Sequence, residues 1–327
     1  MSDSLAPAMA GARVLLEADL QPLQGSRFQP TGFPSLGAAE FSRPDGTAML
    51  LVESPQSMAN RLEATAWDDA REDLAAALDG LPYVATSIDG RSTDSIREAH
   101  RLNSPYLIDG IKDRLQERAG IVGKKAKGKS AGDGEADESS GVDLRRLAQA
   151  VFYYDPNSVL HGVFLEKIVG TARLTRILSA FIEAVDVRPV ESGGVKNDRI
   201  DPKGKGRGGA VRGFGNVPFA RTEYTAGKIT AYFSIDVALL KSYGLSVDAE
   251  ELIVALALWK SRRFLEGGGR LRTACDLDVR SVRVTRPEGW ELPTAVDLEE
   301  IIKKRIEKCR AAGLFAGPPK TVVQLAK

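Results

Sequence analysis

Residues 50–62 read LVESPQSMANRLE, and the fold turns on how this stretch is parsed. Met49 to Val52 is a short apolar run; Ser54-Pro55 follows at once, and then Met58 and Leu62, spaced by four. Ser54 suits a helix N-cap, and Pro55 suits the first helical position, where a missing N–H costs nothing. The stretch therefore reads as a strand running directly into a helix. Gln56, Ser57, Asn60 and Arg61 crowd the first turns with hydrogen-bond donors, while Met58 and Leu62 supply the apolar stripe. Such polarity is ordinary at a helix start, and the N–H groups and dipole there also favour an anion. The two readings are compatible.

Upstream, GARVLLEADL (11–20) reads as a strand. Residues 21–46 are rich in Pro and Gly, carry Arg27, Phe28, Phe33 and Phe41, and show no regular period. A loop this long is more often functional or disordered than idle, and its aromatic content argues against simple disorder. Downstream, WDDAREDLAAALDGL (67–81) reads as helix closed by Gly80, 93–120 as helix broken at Ser104-Pro105, and 143–153 as helix again. Between the last two, 123–141 is basic, then acidic, and poor in apolar residues, which reads as a disordered insertion.

LSAFIEAVDV (178–187), KITAYFSID (228–236) and LDVRSVRV (277–284) read as strands, the second by clear alternation. The helix over 248–266 is apolar nearly all round, so it is expected to be buried against a sheet; 297–313 is an amphipathic helix stopped by Gly313. With the insertions set aside, the order is β-α-β-β-α-β. This predicts an α+β fold with an RRM-like or ferredoxin-like core, its helices on one face. One domain is expected over 1–327, with long insertions at 21–48 (a loop), 67–170 (helical) and 191–222 (a basic hairpin).

Of the 327 residues, 43% are hydrophobic and 27% charged, as in a soluble globular protein. No apolar run is long enough to span a membrane, and the N-terminus, with Glu17 and Asp19 and no basic flank, is a poor signal peptide. Cys275 and Cys309 lie far apart and suggest reduced thiols in a cytoplasmic protein. The net charge of +1 hides a segregation: Lys196, Arg199, Lys203, Lys205, Arg207 and Arg212 cluster in the 191–222 excursion. Arg262, Arg263, Arg270 and Arg272 flank the glycine run Gly267-Gly268-Gly269. A neutral protein can still present a basic groove.

The glycine run leaves a helix and enters a strand, so it is not a Walker-type phosphate loop. On composition alone it reads first as a helix C-cap, although its N–H groups could face phosphates. In and beside the excursion, Lys and Arg suit sequence-independent phosphate contacts, and Phe214, Phe219 and Tyr224 suit stacking or wedging; a solvated loop is the equally plain alternative. Catalysis has little support. His100 falls on an exposed helix, His161 reads as a packing or helix-start residue, neither has a partner at metal-ligand spacing, and no Cys-x-x-Cys or nucleophile elbow exists.

Taken together, GSRFQPTGFPSLGAAEF, LVESPQSMANRLE, SVLHGVFLE, LSAFIEAVDV, GGVKNDR and EGGGRLRTACDL, in order from about 11 to 285, resemble the backbone subunit of type I-U (or I-G) CRISPR effector complexes. That family lies within the repeat-associated mysterious protein (RAMP) superfamily. The resemblance implies an RRM-like palm, an inserted thumb hairpin over 191–222, and many copies stacked as a helical filament along one CRISPR RNA. It places Gln56, Ser57, Asn60 and Arg61 on a guide-contacting helix, and Arg27 and Gln29 in an RNA-proximal loop. Lys196, Arg199, Lys203, Lys205 and Arg207 fall in the thumb, and Gly267, Gly268, Gly269 and Arg270 against the phosphates.

The implied partners are CRISPR RNA, target DNA, further copies of the chain, the large and RNA-processing subunits of a Cascade-like assembly, and a recruited helicase-nuclease. No cofactor or metal is implied, and no cutting activity. The alternative within the superfamily is an endoribonuclease that processes precursor CRISPR RNA, with His161 or His100 as base.

Overall fold

The computed structural model describes residues 4–33, 36–121, 142–168, 172–204 and 212–325. The expected disorder over 123–141 and the basic residues Lys205 and Arg207 lie outside the described residues. In chain order the principal elements are β1 (Arg13–Pro22), β2 (Gly37–Ser42), β3 (Ala48–Glu53), α1 (Pro55–Ala64), α2 (Ile108–Arg118), α3 (Leu144–Tyr154) and α4 (Pro156–His161). They continue with β4 (Leu178–Val185), β5 (Arg188–Lys196), β6 (Val217–Thr225), β7 (Lys228–Asp236), α5 (Val247–Glu266), β8 (Arg270–Arg272), β9 (Cys275–Arg286) and α6 (Ala295–Ala311).

The result is a mixed α+β fold around one sheet of order β8-β9-β1-β7-β4-β3-β2, with Gly32–Phe33 at its outer edge. Neighbouring strands are antiparallel throughout. Alternation decides which face is covered. Val14, Leu16, Ala18 and Leu20 of β1 are buried, as are Ile229, Ala231, Phe233 and Ile235 of β7. The register sets Val14 opposite Ile235 and Leu16 opposite Phe233, so these side chains form one layer. Onto that layer pack α1, through Met58 and Leu62, and α5, buried along most of its length. Each fully buried Leu, Phe or Met contributes roughly 1.5–3 kcal/mol of transfer free energy.

The parse of 50–62 holds in detail. β3 runs into α1, Ser54 Oγ accepts from the Ser57 N–H at 3.2 Å, and Pro55 opens the helix. The expectation of helix over 67–81 fails. That stretch forms the short strands Trp67–Asp68 and Asp73–Leu74 and a single 3-10 turn, Ala76–Leu78. Asp68 Oδ1 accepts from the Ala70 and Arg71 N–H groups, a local turn that competes with helix, and Glu72 sits at φ +50°. Similarly, only α2 survives of the helix expected over 93–120. Asp94 takes the N–H groups of Ile96 and Arg97 into a turn, and Arg101 has φ +54°. The loop expected over 21–46 contains β2, paired with β3.

Candidate functional site

The site is built around a residue that ends a strand. Glu53 closes β3 fully buried, and its carboxylate binds four side chains from three segments. Arg61 Nε donates to Glu53 Oε1 at 2.8 Å, Thr31 Oγ1 donates to Oε2 at 2.9 Å, and Ser57 and Arg272 bind it at closer range. Arg61 also donates to the Leu271 carbonyl at 2.5 Å, and Arg272 to the Gln29 carbonyl at 2.9 Å. One buried carboxylate thus ties the N-terminal loop, the start of α1 and the β8 turn together. Two guanidinium groups face one carboxylate, so the cluster carries an excess positive charge.

A groove of about 850 Å³ opens beside this cluster, lined by Gln29, Thr31, Gly32, Glu40, Pro189, Glu191, Thr222, Tyr224 and Arg272, among others. Its far wall is the base of the β5–β6 hairpin, which pairs in unbroken register from Arg188↔Thr225 to Lys196↔Val217. Phe28 pins the loop to that hairpin: its N–H donates to the Tyr224 carbonyl at 2.9 Å and its own carbonyl accepts from Tyr224 N–H at 2.8 Å. Arg27 pairs with Glu223 at 2.9 Å, and Arg221 reaches Gln29 Oε1 at 3.4 Å. Tyr224 OH binds Glu40, so this wall is of mixed sign.

The sequence-derived candidates separate into groups. Gln29 and Arg272 line the groove, Arg61 joins Arg272 on Glu53 beside it, and Arg27 pairs with Glu223 of the hairpin. Ser57 binds Glu53, whereas Gln56 and Asn60 are exposed and joined at 3.3 Å. Lys196, Arg199 and Lys203 are exposed toward the hairpin tip. Phe219 is 50% exposed and Phe214 half-buried. Gly194 lets the Phe219 ring cross its strand, since a Cβ there would stand 3.0 Å from that ring. Gly267 caps α5, Gly268 has φ +86°, and Gly269 lies so close to β9 that a Cβ would stand 1.7 Å from the Leu277 carbonyl oxygen. Arg270 and Arg263 are exposed. Arg262 is bound elsewhere, donating to the carbonyls of Pro293 at 2.5 Å and Leu292 at 2.9 Å.

Reading the sequence missed Glu53 and Thr31, and it took Tyr224 for a stacking surface, whereas that residue is 2% exposed and its OH binds Glu40. Glu53 did leave a signal: an acid ending an apolar strand, with Ser57 and Arg61 four and eight residues on.

His161 lies in a separate, buried network. Its Nε2 stands 3.1 Å from Lys260 Nζ, which also meets Asn157 Oδ1 at 2.5 Å, and Asn157 reaches Glu63 at 3.4 Å. Glu63 is held twice by Arg101, at 2.5 and 2.7 Å. Burial first, then the cations of Lys260, Arg101 and Arg176, drives the His161 imidazole far below the ordinary histidine range, so it stays neutral. Burial pushes Lys260 down to about 8 and Asp155 up to about 6. With only 1% of its surface exposed, His161 cannot meet a substrate. Among the described residues no group of three or more His, Cys, Asp or Glu could hold a metal, and no helix is long and apolar enough to cross a membrane.

Fold and site together define a mixed α+β protein with a polar groove of mixed charge, set beside an arginine–carboxylate cluster where distant segments converge. The chain belongs to the family described as CRISPR-associated protein GSU0053 (Cas_GSU0053), whose model matches residues 14–189, more than half its length. No curated protein matches the chain. Among solved structures it is similar to a chain of a "CRISPR RNA-guided surveillance complex, pre-nicking", with 17% identity, TM-score 0.44 and coverage of 92% of this chain and 89% of that one. It is also similar to Csc2 of Thermofilum pendens, with 11% identity, TM-score 0.32 and coverage of 95% and 79%. Likeness this distant assigns no residue a role.

Proposed function

We propose that the chain is a non-catalytic subunit that lies along CRISPR RNA, holds its sugar-phosphate backbone and presents its bases for pairing with target DNA. The observation that carries this is the Glu53 cluster with its groove, which gathers Arg61, Arg272 and Gln29 from three segments beside the hairpin. A subunit that accepts any guide sequence needs donors to phosphate and ribose and a surface that reads shape, not base edges. Strands β9-β1-β7-β4 follow the order fourth, first, third, second, and α1 and α5 share one face; this supports the RRM-like core. The β5–β6 hairpin is the natural thumb, with Lys196, Arg199 and Lys203 on it and Phe219 as the wedge.

Copies stacked by a head-to-tail, non-closing contact would form a helical filament in the cytoplasm, joined by the large and RNA-processing subunits and a helicase-nuclease. Co-expression with a repeat-spacer transcript, followed by electron microscopy and nuclease treatment, tests the reading. Filaments with protected, uncut RNA are expected. RNA-free monomers, or a transcript cut by the purified chain, overturn it.

A further inference from the structure

Seven arginines among the described residues are buried or half-buried. Six of them, Arg61, Arg101, Arg221, Arg262, Arg272 and Arg305, have a carboxylate oxygen at 3.5 Å or less. Arg176 is the exception: it makes no ion pair among the described residues and is held only by neutral acceptors. Its Nε donates to the His161 carbonyl at 3.3 Å, Nη1 to the Pro55 carbonyl at 3.1 Å and Nη2 to Gln56 Oε1 at 3.1 Å. A guanidinium has five N–H groups, so two remain for a ligand. The acid whose charge favours it, Glu63, is already held on both oxygens by Arg101.

Burial and the like charge of Arg101 both press against the Arg176 cation, with Glu63 opposing more weakly. A half-buried cation without a counter-charge is costly unless something outside the chain supplies one. Its place fits that need. The three acceptors fix the guanidinium at the first turn of α1, beside the exposed, mutually bonded amides of Gln56 and Asn60. The paired arginines Arg61 and Arg272 face Glu53 instead.

We propose that Arg176 is a phosphate ligand, taking one phosphodiester of the bound strand at the start of α1 with Gln56 and Asn60 alongside. This rests on the reading of the chain as an RNA-binding subunit. It assigns the free positive charge at α1 to a residue outside the SPQSMANR stretch.

The test measures binding of a labelled repeat-spacer RNA by the full chain across a salt series. Arg176→Gln is expected to weaken binding about tenfold at low salt. It should also reduce the slope of log K against log salt by about 0.7, the single-strand value for one phosphate. Arg176→Lys, which keeps the charge, should retain the slope. Weaker binding with an unchanged slope would assign Arg176 a merely structural role and overturn the proposal. Should Arg176→Gln not fold, as judged by its thermal transition, Arg176→Met carries the same expectation. Wild-type chain without salt-dependent RNA binding would overturn the RNA-binding reading itself. A salt-dependent wild type with an unaltered Arg176→Gln slope would overturn the assignment of Arg176 alone.

Discussion

Glu53 sets two guanidinium groups against one buried carboxylate, and its removal leaves both without a counter-charge beside the groove. Glu53→Gln keeps the shape and removes the charge, so it should destabilise the fold by about 3 kcal/mol in denaturant unfolding. A change within about 0.5 kcal/mol would show that the Leu271 and Gln29 carbonyls hold the arginines unaided. His161 allows a pH test. Its native pKa lies far below 6.5, so below that pH the unfolded chain binds a proton that the native state refuses. Stability is therefore complete above pH 6.5 and falls as the pH drops, by up to about 1.4 kcal/mol per unit. Asp155, raised to about 6, acts in the opposite sense between its two values. The informative quantity is then the difference between wild type and His161→Gln: thermal midpoints at pH 7 and pH 5 should diverge less in the variant, and equal divergence would refute the assignment. Single residues were legible where they act through local chemistry, as with the Ser54 cap, and hidden where a partner lies far along the chain, as with Glu53 and Arg272.

At the scale of elements, the hairpin shows how an acid can serve a basic surface. Asp198 Oδ1 accepts from the N–H groups of Ile200 and Asp201, and Oδ2 from Gly215, bracing the described part of the tip between Lys196 and Lys203. Charge alone says that Asp198→Ala should strengthen RNA binding; loss of the brace says the reverse. We expect binding to weaken about fivefold in a filter assay, since the bonds lost are worth about 1 kcal/mol each; stronger binding would mean that the tip needs no brace. The glycine turn gives a paired test. Gly268→Ala and Gly269→Ala both place a side chain at positive φ, costing about 1–2 kcal/mol. Only at Gly269 does a Cβ also collide with Leu277, so its thermal midpoint should fall well below that of the Gly268 variant. Strands and helices with a strong apolar period, β1, β7, α5 and α6, were readable from the sequence. The 67–81 stretch was not, because its Ala-rich composition favours helix while the Asp68 side chain captures the backbone in a turn.

For the whole molecule, the central α+β order was legible because each insertion left the flanking apolar alternation intact. The groove was legible only in its ingredients: nothing in the spacing of Gln29, Glu53, Arg61 and Arg272 announces that they meet. The electrostatic part of the proposed RNA binding is testable by reversing charge at Lys203, Lys205 and Arg207 together, which should weaken binding and flatten its salt dependence. An unchanged salt slope would remove the hairpin from the interface. The most direct measurement is photo-crosslinking of the chain to a repeat-spacer RNA carrying 4-thiouridine, with the attachment sites mapped by mass spectrometry. Attachment should concentrate at the start of α1, the loop around Gln29, the β8 turn and the β5–β6 hairpin, whatever the RNA sequence. Attachment confined to α6 or to the outlying strands Tyr83–Ile88 and Lys320–Val322 would contradict the account.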